Sequence, residues 1–449
     1  MHDDSACVIP DLRPGVRRAS TIRDPENADR YGRRANRRES GMSMAGGPLD
    51  GVRIVDLTAV VVGPMATQTL GDYGAEVIKV ETPAGDILRD LNGRAVTPRM
   101  SSKFLHLNRN KRSIVLDLKQ PAGREALLRL VARADVFLWN VRPSAMERLK
   151  LSYDEVRAVN PRIIYCGLFG FGRGGRYREK PAYDTIIQGG SGVAALHHRV
   201  MGEPRYIPIV MADRTVGAIA VQMILLALVN RYRTGEGAAI EIPMFENMAK
   251  FVLEEHMYLK TFDPPLGTTG DPRVLEPGNR PVPTKDGWIC ITANTNAQAF
   301  ALFDAIGRPE LKTDPRFNSV TARFANVTEL YVIRNDALKQ KTTREWLELF
   351  DTLDIPALPY HTLDSLMEDP HLKDVGFFQK VDHPTERRIV NMALPNKSSF
   401  GNRVDFLHAP KIGQHSVEIL REIGYDEAVI EAMIENDTTV DGRIDPGKQ

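Results

Sequence analysis

Between residues 52 and 169 the chain alternates strand-like and helix-like segments, and this alternation restricts the fold more than any other feature. Val52–Leu57 and Ala75–Glu81 have the pattern of strands, and Gly63-Pro64 opens a short helix between them. A strand, a helix and a second strand form a βαβ unit, so we expect a parallel sheet. The same pattern continues in the segments Ser113–Leu118, Ala122–Ala134, Val136–Val141, Tyr153–Val159 and Ile163–Phe169. The sequence therefore predicts an α/β fold with a doubly wound, mainly parallel sheet.

The second half of the chain predicts a smaller α+β domain. Residues 262–284 are rich in Pro and Gly without any period, which is typical of a linker or of a loop over a site. One strand-like and three helix-like segments follow, at Trp288–Ala293, Ala297–Ile306, Leu330–Lys339 and Trp346–Leu353. We expect a large domain over residues 48–261, the small domain over 285–383, and a return of the chain to the large domain over 384–449.

Residues 1–47 differ from the rest in composition. They contain nine Arg, no Lys and seven acidic residues, with almost no apolar periodicity. The segment lacks the apolar core of a signal peptide, and its acidic residues are unusual for a transit peptide. We predict a disordered leader.

Charge and cysteine content exclude several classes of function. The net charge is +1, so no global field attracts nucleic acid or a membrane surface, and an anionic ligand must be held by local Arg and Lys. The three cysteines lie far apart without a CxxC motif, which argues against a disulfide framework and a zinc site. A reducing, cytoplasmic location is expected.

One acid stands at a transition in the sequence. The apolar run Ile207–Met211 leads to Asp213, and Val216–Val229 follows with only Gln222 interrupting its apolar surface. We predict a strand, then the acid, then a helix that is buried in a large core and too short to cross a bilayer.

Asp213 would experience two opposing influences at such a junction. Apolar neighbours disfavour its charge, while the N-terminus of the helix favours it. A carboxylate that is ionised but poorly hydrated can act as a nucleophile towards an acyl carbon. The structural alternative is a helix N-cap, because Asp is a preferred residue there.

Two cationic segments could hold phosphates. Arg109, Lys111 and Arg112 lie just before a predicted strand and form a dense local cluster, for which a solvated charged loop is the alternative. Asn140 and Arg148 lie near the C-terminal end of another predicted strand, the edge at which open α/β sheets bind ligands.

Other motifs argue against familiar chemistries. Gly170–Gly175 matches G-x-G-x-x-G, but a charged loop follows where a dinucleotide site needs a helix, so we expect a mobile loop beside a ligand. Glu254-Glu255-His256 lacks the second His of a zincin, and no other His has metal-ligand spacing. No G-x-S-x-G elbow is present, which disfavours an ordinary serine hydrolase.

Several separated motifs occur together and in order. They are Pro48-Leu49-Asp50-Gly51-Val52, Gly74-Ala75-Glu76-Val77-Ile78-Lys79-Val80-Glu81, Asn110-Lys111-Arg112-Ser113-Ile114, Asn160-Pro161-Arg162 and Pro181-Ala182-Tyr183-Asp184. In this combination the chain resembles the class III coenzyme A transferases, a family that includes formyl-CoA and carnitine-CoA transferases. The resemblance extends from about Pro48 to Leu420.

The resemblance implies an enzyme with acyl-CoA and a carboxylic acid as substrates and with no prosthetic group. Asp213 occupies the place of the family's catalytic nucleophile. Contacts to coenzyme A are implied for Ala59, Val60, Val61, Asn140, Val141, Arg148 and Leu149, with Lys111 and Arg112 at or beside the nucleotide end. A homodimer of interlocked chains is also implied.

The expected reaction transfers CoA from a thioester to a carboxylic acid through an aspartyl anhydride and an aspartyl-CoA thioester. Asp184 would bind or orient the acyl group, or would serve only as a structural acid. The family also contains α-methylacyl-CoA racemases, which have His before the acid where this chain has Tyr183. A racemase and a non-catalytic protein that binds CoA esters are therefore the alternatives.

Two positions depart from the family pattern. Val61 stands where formyl-CoA transferase has a polar Gln, so no side-chain amide is expected near the oxyanion there. The glycine-run loop that covers the site of that enzyme is not evident, and Gly278-Asn279-Arg280 is its nearest counterpart. The loops at Gly170–Gly175 and Gly278 are the candidate covers.

Overall fold

A six-stranded parallel sheet forms the centre of the large domain. The computed structural model describes residues 47–91, 95–399 and 406–443. The strands are β1 (Arg53–Leu57), β2 (Glu76–Glu81), β3 (Lys111–Val115), β4 (Val136–Trp139), β5 (Ile164–Phe169) and β6 (Ala238–Pro243). Their order across the sheet is β3-β2-β1-β4-β5-β6, and every neighbouring pair is parallel. The predicted doubly wound α/β fold is thus confirmed, and the strand order reverses between β1 and β4.

Helices cover both faces of this sheet. They are α1 (Val62–Asp72), α2 (Ser102–Leu107), α3 (Pro121–Val131), α4 (Pro143–Arg148), α5 (Tyr153–Val159), α6 (Asp184–Gly190), α7 (Val193–Met201), α8 (Met211–Thr234) and α9 (Met244–His256). Successive strand residues point to opposite faces. Ile54 of β1 accordingly packs in an apolar layer with α1, α8 and α9, while Val55 packs in the other layer with α3.

Helix α8 crosses α1 at very short range. A Cβ atom on Gly217 would lie 2.8 Å from the carbonyl oxygen of Val62, so only glycine permits this approach. The crossing fixes the first turn of α8, which contains Asp213, beside the start of α1.

The structure corrects three predictions about α8. Residues 207–210 form no strand, because the Gln188 side chain accepts from the Ile207 N–H and donates to the Ile209 carbonyl in place of a neighbouring strand. The helix is also not buried all round, since Leu226 and Tyr232 are 62% and 89% exposed. Finally, it is not too short to cross a bilayer, because it extends beyond Val216–Val229 to 24 residues. By length and composition alone it is long and apolar enough, a test that core helices of soluble proteins also pass.

A second, smaller domain follows, as predicted. Its antiparallel sheet contains β7 (Val282–Pro283), β8 (Trp288–Ile291) and β9 (Ala357–Pro359). Four helices accompany this sheet: α10 (Asn296–Ala305), α11 (Val320–Ala325), α12 (Val327–Ala337) and α13 (Thr343–Thr352). Phe303, Trp346 and Phe350 belong to a core separate from those of the large domain.

The last segments are α14 (Leu363–Met367), α15 (Pro370–Asp374), β10 (Phe378–His383), β11 (Arg387–Met392), α16 (Ser416–Glu422) and α17 (Glu427–Glu435). Strands β10 and β11 pair in an antiparallel hairpin, so the predicted domain boundary after His383 falls inside a β-hairpin. Farther on, the Val115 N–H of β3 donates to Ser416 Oγ, and Thr439 Oγ1 donates to the Val115 carbonyl. Short 3₁₀ turns occur at Ile87–Arg89, Tyr258–Thr261, Pro309–Lys312 and Leu338–Gln340. The predicted leader, apart from Gly47, lies outside the described residues.

Candidate active site

The loop between β1 and α1, residues 58–61, lies where the strand order reverses. Such switch points, outside the carboxyl ends of the strands, are where open α/β sheets bind ligands. Asn140, just after β4, joins this loop across the switch point. The Ala59 N–H donates to Asn140 Oδ1 at 3.0 Å, and Asn140 Nδ2 donates to the Ala59 carbonyl at 2.8 Å. The Asn140 amide therefore holds the loop backbone.

Val60, in the same loop, has an unusual backbone conformation. Its φ is 70°, a left-handed value that costs a β-branched residue roughly 1–2 kcal/mol. Asp86 holds the residue there by accepting the Val60 N–H at 3.1 Å, while Lys79 donates to Asp86 at 2.9 Å and to the Thr58 carbonyl at 2.8 Å. Strained backbone persists where its surroundings over-determine it, as they do here.

A second buried ion pair, between Asp56 and Lys111, supports the loop at residues 58–61. Asp56 accepts from the Thr58 N–H at 3.0 Å, from Thr67 Oγ1 at 2.6 Å and from Lys111 Nζ at 3.1 Å. Burial alone would raise the pKa of Asp56, but Lys111, Lys79 and the two hydroxyl groups together lower it. Asp56 is thus an ionised, fully partnered acid.

The cations predicted to meet a nucleotide have other partners. Lys111 Nζ is fully buried and donates to Asp56, Asn108 and the Pro64 carbonyl. Arg112 pairs with Glu422 at 2.8 Å and with Glu418 at 2.9 Å. Neither presents a free charge to a phosphate. The reason is that β3 begins at Lys111, two residues earlier than predicted, and both side chains belong to the sheet.

Other predicted coenzyme A residues remain near the switch point. Val141 follows Asn140, and α4 then leads to Arg148 and Leu149. Arg148 is exposed and forms no hydrogen bond or ion pair within the described chain. The Leu149 carbonyl accepts from Arg124 Nε at 3.1 Å, and the Leu149 side chain is partly buried. Arg148 is therefore available to an anion.

Asp213 is the third residue of α8, and the N-cap position belongs to Val210, so the N-cap alternative is wrong. The Asp213 N–H donates to Asp184 Oδ1 at 3.1 Å, and Gln188 Nε2 donates to Asp184 Oδ2 at 2.6 Å. Asp184, the first residue of α6, therefore holds the first turn of α8. No described residue donates a hydrogen bond to the carboxylate of Asp213 itself.

This lack of partners has an electrostatic consequence. Asp213 is only 9% exposed. Burial, and secondarily the charge of Asp184, raise its pKa to about 7, against the weaker opposing effects of Arg214 and Lys103. The sequence suggested an acid that stays ionised, whereas this pKa makes Asp213 about half protonated at neutral pH.

A small apolar cluster connects the loop with Asp213. Val61, Leu88 and Leu107 are its buried members, and Val60 and Val210 pack against them. Val210 precedes α8, and Leu107 is on α2, the helix that also contains Lys103. The switch-point loop therefore adjoins the helix start that holds Asp213.

Sequence reasoning missed Lys79, Asp86, Gln188 and Lys103. A signal existed for Lys79, which lies in the middle of an apolar strand of a predicted parallel sheet. Such strands are covered on both faces, so a charge within one must have a buried partner. Gln188 and Lys103 had no comparable signal, because their roles depend on how distant elements pack.

The Gly-rich segment 170–175 does not open a helix, since α6 begins only at Asp184. The Gly172 N–H donates to Glu246 Oε1 at 2.9 Å. Phe171, Gly175, Tyr177, Phe245 and Glu246 line a cavity of about 370 Å³. The loop is thus part of a pocket wall.

Comparison with known proteins agrees with this architecture. The model of CoA-transferase family III matches residues 49–416. Succinyl-CoA:glutarate CoA-transferase of Mus musculus is 32% identical over 86% of this chain and 89% of its own length. Formyl-CoA:oxalate CoA-transferase of Escherichia coli is 29% identical over 87% of this chain and 99% of its own.

A solved structure extends the similarity to three dimensions. The crystal structure of a CAIB/BAIF family protein from Brucella suis superposes with a TM-score of 0.71 at 31% identity, covering 84% of this chain and all of the other. The resemblance seen in the sequence is thereby confirmed. The chain belongs to CoA-transferase family III, and it is an enzyme of that class.

Proposed function

We propose that this protein transfers coenzyme A from an acyl-CoA thioester to a carboxylic acid, with Asp213 as the covalent nucleophile. The observation that carries the proposal is the Asp213 carboxylate, buried and without a hydrogen-bond donor beside a ligand-binding switch point. A weakly solvated carboxylate is a strong nucleophile once it is ionised.

The reaction proceeds in four balanced steps. An oxygen of Asp213 attacks the donor thioester, and the CoA thiolate leaves as a mixed anhydride forms. The thiolate then attacks the Asp213 carbonyl, which releases the donor acid and leaves an aspartyl-CoA thioester. The acceptor carboxylate attacks this thioester, giving a second anhydride and free thiolate. Finally the thiolate attacks the acceptor carbonyl, which forms the product thioester and regenerates Asp213.

Each tetrahedral intermediate requires a donor for its oxyanion. Val61 is an apolar, buried residue, so it offers no side-chain amide. The Ala212 N–H, next to Asp213, has no acceptor among the described residues and is the donor that we assign to this role. Asp184 acts as a positioning residue, since its oxygens accept from Asp213 N–H and Gln188.

The anhydride and the thioester both hydrolyse, so the site must exclude water. The loop at Gly170–Gly175 is the cover that we propose, since the carbonyl of Gly278, the other candidate, accepts from Arg334 of the small domain. The loop Ala59–Val61, with Val141, Arg148 and Leu149, would hold coenzyme A at the switch point. Exposed Arg148 is the phosphate contact on this surface.

The names of the relatives suggest substrates to test first. One relative is named for succinyl-CoA and glutarate, the other for formyl-CoA and oxalate. A short acyl-CoA donor and a dicarboxylate acceptor are therefore the first substrates to test. A panel of acyl-CoA donors against mono- and dicarboxylates would identify the acids.

The function is tested by comparing Asp213→Ala with Asp154→Ala, a change at an exposed acid of α5. Loss of the nucleophile should lower kcat/KM for transfer by at least about 1,000-fold, while the control keeps wild-type activity. Full transfer by Asp213→Ala would refute the proposed role.

The racemase alternative has less support. Tyr183 lies before Asp184, and its exposed phenol cannot replace the imidazole that the racemases carry at this position. Deuterium exchange at the α-carbon of a 2-methylacyl-CoA, without any acceptor acid, would instead support a racemase.

We also propose a homodimer. Leu226, Val229 and Tyr232 form an exposed, largely apolar face of α8, which a second chain would cover. Light scattering coupled to size-exclusion chromatography should give twice the chain mass, and a monomeric mass would refute this.

A further inference from the structure

The small domain contains a pocket with three arginines. Arg273 comes from the segment before β7, Arg323 from α11 and Arg334 from α12, and all three line one cavity of about 60 Å³. Arg323 and Arg334 are only 4% and 7% exposed. None of the lining residues belongs to the surroundings of Asp213 described above, so this is a separate feature.

These guanidinium groups have no acidic partner. No Asp or Glu in the described parts of the chain forms an ion pair with any of the three. Arg323 donates only to the carbonyls of Phe317 and Asn294, at 3.1 and 3.4 Å. The Nε of Arg273 is buried and has no acceptor in the part of the chain that the structure describes. Arg334 donates from Nε to Asn335 Oδ1 and from Nη2 to the Gly278 carbonyl, both at 3.0 Å. Each guanidinium carries five N–H donors, so most of the donors of the three arginines have no acceptor among the described residues.

Such an arrangement is unfavourable without a ligand. Arginine keeps its proton in proteins, and a buried charge without a counter-charge destabilises the folded state by several kcal/mol. Burial disfavours the charged form of a side chain, and it therefore lowers the pKa of both Arg323 and Arg334. An anion in the cavity would supply the missing negative charge.

The remaining walls identify the kind of anion. Leu302, Phe303, Val320 and Phe324 give the cavity a largely apolar lining. The cavity of about 60 Å³ is several times the roughly 10–15 Å³ that one water molecule requires on this measure, so it admits a carboxylate group with a short stem. Guanidinium groups bind carboxylates through paired, parallel hydrogen bonds.

We propose that this pocket binds the carboxylate group of a small organic acid with a short hydrocarbon stem. Arg323 and Arg334 hold the carboxylate, and Arg273 closes the site from the segment 262–284. Because Arg334 Nη2 also donates to the Gly278 carbonyl at 3.0 Å, the ligand would tie this segment to the small domain. The proposal does not depend on the chemistry of Asp213.

Isothermal titration of the full-length protein with sodium propionate, at constant ionic strength, tests the proposal. One propionate per chain should bind at this pocket, and it should remain in Asp213→Ala, which separates it from any propionate taken at the acceptor site. Arg323→Gln and Arg273→Gln should each weaken binding by at least about 10-fold, because each removes charge-assisted hydrogen bonds. Arg308→Gln, at an exposed arginine that pairs with Glu310, is the matched control and should bind as the wild type does.

Arg273→Gln and one further variant, Asp213→Ala, keep the outcomes distinct. Arg273 is only half-buried, so its variant reports on binding even if Arg323→Gln fails to fold. Asp213→Ala should bind propionate with wild-type affinity whether or not Asp213 is the nucleophile. Absence of binding to the wild type, unchanged affinity in the Arg273 variant, or loss of binding in Asp213→Ala would each overturn the assignment.

Discussion

Asp56 and Asp213 are both buried carboxylates of the large domain, and their pKa values move in opposite directions. Asp56, in β1, accepts hydrogen bonds from Thr58 and Thr67 and pairs with Lys111, and its pKa is lowered. Asp213, in the first turn of α8, has no such donors, and its pKa rises to about 7. Both acids are buried, so the opposite shifts of their pKa values come from the hydrogen-bond donors and charges around each of them.

The difference corresponds to two roles. The paired acid fixes a strained loop at the sheet's switch point, where a constant negative charge stabilises the structure. The unpaired acid keeps both oxygens free of donors and is easily neutralised, which suits a group that must form and break covalent bonds. The following changes are ordered by the size of the expected effect.

Lys111→Met should be the most damaging to stability. It leaves Asp56 buried beside only one remaining cation, Lys79, and breaking a buried ion pair in this way costs about 3–5 kcal/mol. Urea unfolding measures the free energy of unfolding. A matched control is Lys119→Met at an exposed lysine, which should change stability by less than about 0.5 kcal/mol. A similarly small effect of Lys111→Met would mean that the pair does not hold the loop.

Asp213→Asn should stabilise the protein, and increasingly so towards higher pH. Because folding raises the pKa of Asp213 above its usual value, the folded wild type binds a proton that the unfolded chain has lost between about pH 4 and pH 7. Wild-type stability should therefore fall relative to the variant across this range and stay constant above it, by on the order of 2–4 kcal/mol in total.

Asp56→Asn should have the opposite effect, a lower free energy of unfolding than the wild type. Folding lowers the pKa of Asp56, so its stabilising contribution is present at neutral pH and is lost only as pH falls through the folded-state value. Between pH 5 and pH 8 the loss of stability in Asp56→Asn should therefore stay constant, whereas the free energy of unfolding of Asp213→Asn relative to wild type should rise up to about pH 7. If Asp213→Asn and wild type showed parallel curves, the raised pKa would be refuted.

The pH dependence of transfer should follow the ionisation of Asp213. Below pH 7, kcat/KM should rise about tenfold per pH unit and then level off. The charged groups that face Asp213 are Asp184, Arg214 and Lys103. Lys103→Met removes a cation that favours the carboxylate, so the midpoint should move upward by about 0.5 pH unit. A downward shift would contradict this electrostatic description.

Val60→Gly should have the smallest effect on stability. Glycine relieves the left-handed strain but loses the small apolar contact, so the free energy of unfolding should change by less than about 1 kcal/mol. A looser loop should instead raise KM for acyl-CoA about 3-fold with little change in kcat. Ala59→Gly, a change at a neighbouring residue with no positive φ, is the control for added flexibility.

Much of the fold was predictable because parallel strands and their helices have strong periodic patterns. Helix Tyr153–Val159 begins and ends where the sequence placed it, and β5 differs from its prediction by one residue. The pattern failed at Ile207–Val210, where apolar composition suggested a strand but a glutamine side chain supplies the hydrogen bonds. Such a contact between distant residues leaves no periodic signal.

The candidate site was predictable only in part, for a related reason. Asp213 was singled out by its place between an apolar run and a helix, and its role as nucleophile was implied by the family resemblance. Its half-protonated state could not be foreseen, since it depends on Asp184 and on the absence of a donor in three dimensions. The burial of Lys111 beside Asp56 could not be foreseen either, because a cation near a strand end looks the same in sequence whether it is solvated or buried.

The central claim is that the carboxylate of Asp213 takes the acyl group from sulfur. The most direct measurement is to incubate the protein with acyl-CoA, trap the intermediate with hydroxylamine or borohydride, and locate the adduct by peptide mass spectrometry. We predict modification at Asp213, dependent on acyl-CoA and absent from Asp213→Asn. An adduct on any other residue, with Asp213 unmodified, would contradict the account.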